Sequence, residues 1–138
     1  MVRSRGIFLS CVLVLFLVCG AFTGQAAGGG DLKITEMAVT TKIVRGNPID
    51  AVRRISSTSV KALYCFTRIV NPSGEETTIK HVWYHNGEQV RETELPVKGE
   101  MWRTFSKRDI DRESVGNWRV DAFDSAGKLL KTVEFRIN

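Results

Sequence analysis

The chain has two histidines, His81 and His85, so any imidazole chemistry must rest on them. Four residues apart, they would suit zinc on a helix. On a strand they leave the same face about 13 Å apart at about 3.3 Å per residue. Zinc–nitrogen bonds of about 2 Å cannot span that gap. The β-branched residues before His81 and the Asn86-Gly87 step after His85 argue for a strand. We therefore read the pair as half-exposed strand histidines flanking Trp83, not as ligands. Cys65 is the other nucleophile of interest. Between Tyr64 and Phe66 it lacks the electropositive, accessible setting that makes a thiolate, and reads as a small core residue. Asp109, Asp111 and Glu113 alternate as in a calcium loop. The sixth position is Ser114 rather than glycine, Val120 stands where a bidentate glutamate is needed, and Arg112 adds an opposing charge. No metal is expected there.

The most suggestive residues are two tryptophan–arginine pairs, Trp102-Arg103 and Trp118-Arg119. Adjacent strand residues face opposite ways, so each pair sends its tryptophan inward and its arginine outward. With Lys107, Arg108 and Arg112 close in sequence, the arginines are candidates for a surface that takes carboxylate or phosphate groups. The candidate binding residues are Arg103, Lys107, Arg108 and Arg119, with Trp102 beside them. The simpler alternative is a charged face in which these cations pair with Glu92, Glu94, Glu100 and Asp121. The chain has no Ser/His/acid arrangement, phosphate-cradling glycine loop or zinc spacing. No catalytic residue and no cofactor is assigned, and we read the protein as not an enzyme.

The elements that must position these residues are strands. β-Branched and aromatic runs alternate with turn residues every eight to twelve positions, the rhythm of an all-β sandwich or barrel. Strands are expected at about residues 34–44, 60–70, 77–85, 88–97, 101–106, 118–123 and 129–137. Asn47-Pro48 reads as a cap followed by a first-turn proline, opening a short helical turn to about Arg54. Asn86-Gly87 is the strongest hairpin signal, because a type I′ turn needs positive φ at both residues. A polar loop is expected at residues 107–116. Seven antiparallel strands suggest an immunoglobulin-like sandwich with Trp83 plugging the core; a small closed barrel is the alternative.

Residues 1–27 have the three parts of a secretory signal: Arg3 and Arg5, an apolar run at 7–18, and a small-residue exit at 20–27. Gly24 and Ala26, or Gln25 and Ala27, would flank the cleavage site. The apolar stretch 7–22 is slightly short for a spanning helix, so an uncleaved membrane anchor is the alternative. Neither Cys11 nor Cys19 is placed for lipid attachment. Residues 28–32 form a flexible lead-in and 33–138 one β domain. Without Arg3 and Arg5, the 20 basic residues become 18 against 15 acidic, a net charge of +3. That is too mild to argue for nucleic acid. Cys65 is then the one cysteine of the three that remains, so a disulfide framework within the mature chain is excluded.

Several short motifs occur in a familiar order. They are Leu63-Tyr64-Cys65-Phe66-Thr67, His81-Val82-Trp83-Tyr84 with Asn86-Gly87, and Leu95-Pro96-Val97. Trp102-Arg103-Thr104 with Ser106-Lys107 follows, then Gly116-Asn117-Trp118-Arg119-Val120 with Gly127-Lys128 and Phe135. Over about residues 61–137 the chain resembles the bacterial domain of unknown function 2914 family. The resemblance implies a small β domain in exported or membrane-attached bacterial proteins and carries no catalytic residue. The expected role is a periplasmic or secreted binding module contacting an envelope protein or an anionic cell-wall polymer through Arg103, Lys107 and Arg119. A structural domain pairing through a strand edge comes next, and a cell-wall or sugar-active enzyme last.

Overall fold

A computed structural model describes residues 31–138; the proposed signal helix and cleavage site lie outside the described residues. Ten strands follow Asp31-Leu32: β1 (Lys33–Thr40), β2 (Ile43–Val44), β3 (Asn47–Pro48), β4 (Arg54–Ile55), β5 (Ala62–Val70), β6 (Thr77–His85), β7 (Glu88–Val97), β8 (Met101–Asp109), β9 (Gly116–Asp124) and β10 (Leu129–Ile137). The seven long ones correspond to the seven expected. They form a three-stranded sheet, β1-β5-β8, and a five-stranded sheet, β4-β10-β9-β6-β7, with β2-β3 as a separate ribbon. The two main sheets remain separate, so the closed barrel is replaced by a sandwich. The pairing is not wholly antiparallel, because β4 runs parallel to β10.

Turn chemistry explains both the agreements and the main local correction. Asn86 and Gly87 have φ of 50° and 82°, and His85 pairs with Glu88 across them. Asn47-Pro48 starts no helix. Arg45 and Gly46 adopt φ of 51° and 73°, and this second two-residue turn folds Pro48 back onto Ile43. An arginine is an unusual occupant of the left-handed region, so the turn carries little local signal. The first expected strand accordingly ends at Thr40. β8 runs three residues further than expected, to Asp109, and Asp111 caps a single 3₁₀ turn, Arg112–Ser114.

The core lies between the two main sheets. Leu63, Cys65 and Ile69 of β5 meet Ile79, Trp83, Val120, Ala122 and Phe135 of the larger sheet. Trp83 is fully buried and packs edge-on against Trp118 and Phe135, with ring centroids 6.4 and 6.2 Å away. Cys65 is also fully buried, and that burial pushes its thiol well above the usual range. It is a packing residue and not a nucleophile.

His81 is not half-exposed, as expected, but fully buried at the centre of a polar chain that crosses the core. Trp83 Nε1 donates to Ser106 Oγ at 3.0 Å, and Ser106 Oγ lies 2.7 Å from His81 Nδ1. His81 Nε2 lies 3.3 Å from Thr67 Oγ1, which donates to the Thr104 carbonyl at 3.4 Å. One proton arrangement uses every group once: Ser106 donates to Nδ1, and a neutral imidazole donates from Nε2 to Thr67. A charged ring would need Ser106 to accept twice, leaving its own proton without a partner.

Burial pulls the His81 pKa from 6.5 down to about 4. Between those values the unfolded chain takes up a proton that the folded chain refuses. Stability present above pH 6.5 is therefore lost on acidification towards pH 4. The shift corresponds to about 3 kcal/mol. Urea unfolding at pH 7 and pH 4 should show a loss that shrinks by about this amount in His81→Gln. The His81 ring should show no NMR titration above pH 5. Ser106→Ala strands the Trp83 N–H and His81 Nδ1, and should cost about 2–3 kcal/mol by urea unfolding at pH 7.

Candidate functional site

β8 and β9 carry the residues singled out above, and the sandwich divides them. On β8 the inward series is Trp102, Thr104, Ser106 and Arg108, with Ser106 fixed by its bonds to His81 and Trp83. Met101, Arg103, Phe105 and Lys107 therefore point away from the core. On β9, Trp118 and Val120 are core residues, and Arg119 leaves the far face of the five-stranded sheet. Arg103 and Lys107 thus lie on one outer face of the sandwich and Arg119 on the other, so no single surface presents all three. Arg108 belongs to neither face. Its guanidinium lies 5.7 Å from the Trp118 ring centroid, at the mouth of the sandwich. Trp102 is half-buried against the core.

The expected charge pairing is realised at one point, Arg119 with Asp121, while Glu92 is taken by Lys80, a cation outside the expected set. Lys80 meets Glu92 at 3.3 Å, and Arg119 Nε lies 3.2 Å from Asp121 Oδ1 without aiming its N–H at that oxygen. Arg119 also stacks over Tyr84, with its guanidinium carbon 4.1 Å from the ring centroid. Register explains this contact. Tyr84 of β6 and Glu134 of β10 flank Arg119 directly.

Around this arginine lies a cleft of about 460 Å³ that also receives Arg53, Asn117 and Arg136. Arg136 is held at 2.8 Å by Asn117 Oδ1 and at 3.3 Å by Asn138 Oδ1, both neutral partners. Among the described residues, neither Arg53 nor Arg136 has a carboxylate within 4.0 Å. Three guanidinium groups thus border one concavity with Glu134 on its rim. Its capacity is for oxygen-rich anions. Arg53 and Arg136 were not recognised in sequence. They are 83 positions apart and meet because Arg136 N donates to the Arg53 carbonyl at 2.9 Å.

The other outer face has a different character. Arg103 and Lys107 flank Phe105, which is 46% exposed and packs edge-on against Tyr64 at 5.8 Å. Lys107 is 3.5 Å from Asp109. This is a ridge of alternating cations and apolar groups.

Once this geometry is in view, comparison with known proteins identifies the segment that builds most of it. Residues 76–137 match the family model described as Protein of unknown function (DUF2914). The DUF2914 segment contains all of β6 to β10, and so Tyr84, Arg119 and Arg136 together with His81 and Ser106. The Leu63–Thr67 motif on β5 lies outside it. No curated protein matches the chain. Two solved structures share the fold. An immunoglobulin-like protein from Pseudomonas aeruginosa is 12% identical with a TM-score of 0.50, over 79% of this chain and 98% of that one. An alkylpurine DNA glycosylase from Pseudomonas fluorescens, bound to DNA containing an abasic-site analogue, is 9% identical with a TM-score of 0.51, over 79% of this chain. The chain spans 31% of the glycosylase. At these identities the likeness concerns the fold alone.

Among the described residues, no group of three or more His, Cys, Asp and Glu side chains could hold a metal ion, and no helix is long and apolar enough to cross a membrane. Replacing Arg119 should expose how the cleft is built. Arg119→Met leaves the largely buried Asp121 with Thr132 as its remaining side-chain partner at 2.8 Å. We expect about 1 kcal/mol of destabilisation in urea. Adding Asp121→Leu should recover most of it.

Proposed function

We propose that the protein is an exported, non-catalytic binding module of the bacterial cell envelope, and that it seats an anionic group of its partner in the cleft bordered by Arg53, Arg119 and Arg136. One observation carries the reading: two of the three guanidinium groups are positioned without a carboxylate of their own. The binding surface first expected, Arg103, Lys107 and Arg119, contributes Arg119 to this site. Arg103 and Lys107 belong to a separate face and Arg108 to the sandwich mouth. The basic, then apolar, then small-residue order of positions 1–27 supports export to the periplasm or beyond, with an uncleaved inner-membrane anchor as the alternative. The match to a family of unknown function and the immunoglobulin-like fold are in keeping with an interaction module. The reading invokes no cofactor and no nucleic acid. The partner class is an envelope protein or an anionic cell-wall polymer, since both present carboxylate or phosphate oxygens.

Titration of the processed protein with inorganic phosphate and with polyglutamate, followed by calorimetry, should give a saturable and salt-dependent response. Arg53→Gln/Arg136→Gln should weaken that response at least about tenfold, as expected for losing two charge-assisted contacts. Arg103→Gln should leave it unchanged. Equal responses from all three proteins would overturn the assignment.

A further inference from the structure

The sandwich is open at one corner, where β1 borders β10, and the backbone hydrogen bonds there are directional. Arg136 N donates to the Arg53 carbonyl, so the Arg136 peptide group points off the free side of β10. The register from Lys131 to Ile137 is unbroken, and peptide groups alternate sides along a strand. Thr132 and Glu134 therefore aim their N–H and C=O groups off the same side. Among the described strands, β4 alone pairs with that side, and only at Arg136 and Ile137. On β1, the Val39 carbonyl accepts from Val52 N at 2.7 Å, so Val39 and, two residues earlier, Met37 point off the edge away from β5.

A groove of about 540 Å³ lies between these edges. Met37, Val39, Thr132, Val133 and Glu134 line it, and Val52 closes one end. Residues 51–55 already bind in this track as an internal strap, using one backbone bond to β1 and then parallel pairing with β10. Val52 is half-buried against the core. The strap thus displays the kind of ligand that fits: an extended chain whose β-branched residues, Val52 and Ile55, pack against the core. Beyond the strap, the same backbone donors and acceptors remain without a strand partner.

We infer that the β10 edge from Leu129 to Phe135 is a docking track for an extended segment of a partner protein. The segment adds a strand beside β10 and carries β-branched apolar residues at every second position. Backbone pairing supplies the affinity, and the Met37–Val133 floor selects the inward side chains. The track shares Arg53 and Glu134 with the border of the arginine cleft but works through backbone groups rather than guanidinium groups, so either assignment can fail alone.

The probe is a displayed library of random heptapeptides, selected against the purified full-length protein. Enriched peptides should carry Val, Ile or Thr on alternate positions. A selected peptide should slow amide exchange at Thr132 and Glu134. Thr132→Pro removes one outward N–H without touching the β9 ladder, and proline is tolerated on such edges. It should weaken peptide binding about tenfold. Thr132→Val, which loses the same side-chain bond to Asp121 but keeps the N–H, should bind as the parent does. Arg136→Gln should also bind normally, which separates this track from the anion cleft. The inference is overturned by the absence of alternating peptides, by unprotected Thr132 and Glu134 amides, or by equal binding to Thr132→Pro. It is equally overturned if a second copy of the chain occupies the edge, seen as a dimer that Thr132→Pro dissolves. The exchange measurement on the parent protein decides the matter even if the proline variant fails to fold.

Discussion

A single hydroxyl group sets the relation between the two sheets. Ser106 Oγ, on the three-stranded sheet, accepts from Trp83 and contacts His81, both on the five-stranded sheet. Burying a tryptophan N–H and an imidazole without partners would cost several kcal/mol. The side of β8 that carries Ser106 is therefore obliged to face inward. Because a strand alternates strictly, that obligation also places Trp102 and Arg108 inside and Arg103, Phe105 and Lys107 outside. The partition of charge over the molecule follows from the core rather than from the surface.

The same logic explains why the sandwich has two unlike outer faces. On the three-stranded sheet, Phe66 is fully buried although it points away from the main core; Arg68 lies over its ring at 5.7 Å. Arg68 is in turn bound at 3.0 Å by Glu36 and at 3.1 Å by Asn47 of the β2-β3 ribbon. That face is packed and ridged. Among the described residues, no ribbon covers the outer face of the five-stranded sheet. A row of long polar side chains borders the cleft there, and the strap leading into β4 adds Arg53 to it.

Much of the fold was legible locally. The bounds of β6, β7 and β10 follow from periodicity, and the turn at Asn86-Gly87 follows from the φ values those residues tolerate. What misled was chemistry with a local alternative. Asn47-Pro48 has the composition of a helix start, but the turn at Arg45-Gly46 takes those two residues into a ribbon. His81 looks like a surface residue by type. Its burial depends on Ser106 and Thr67, 25 and 14 positions away, which no window along the chain can relate to it. The basic cluster between Trp102 and Arg119 failed for the same reason. Closeness in sequence across two different sheets is distance in space.

The sequence by itself determined the approximate positions of the seven long strands, the inward tryptophans beside outward Arg103 and Arg119, and the leader-like character of the first 27 positions. Each of these is a property of a short window, set by alternation, turn geometry and hydropathy. The tertiary structure alone decided which strands share a sheet. It also decided that β4 joins β10 in parallel, and which arginines meet. Pairing partners are chosen by the burial of a shared core and the satisfaction of its polar groups, and those terms sum over residues far apart in the chain. Arg53 and Arg136 stand beside Arg119 because backbone hydrogen bonds tie the strap to the end of the last strand.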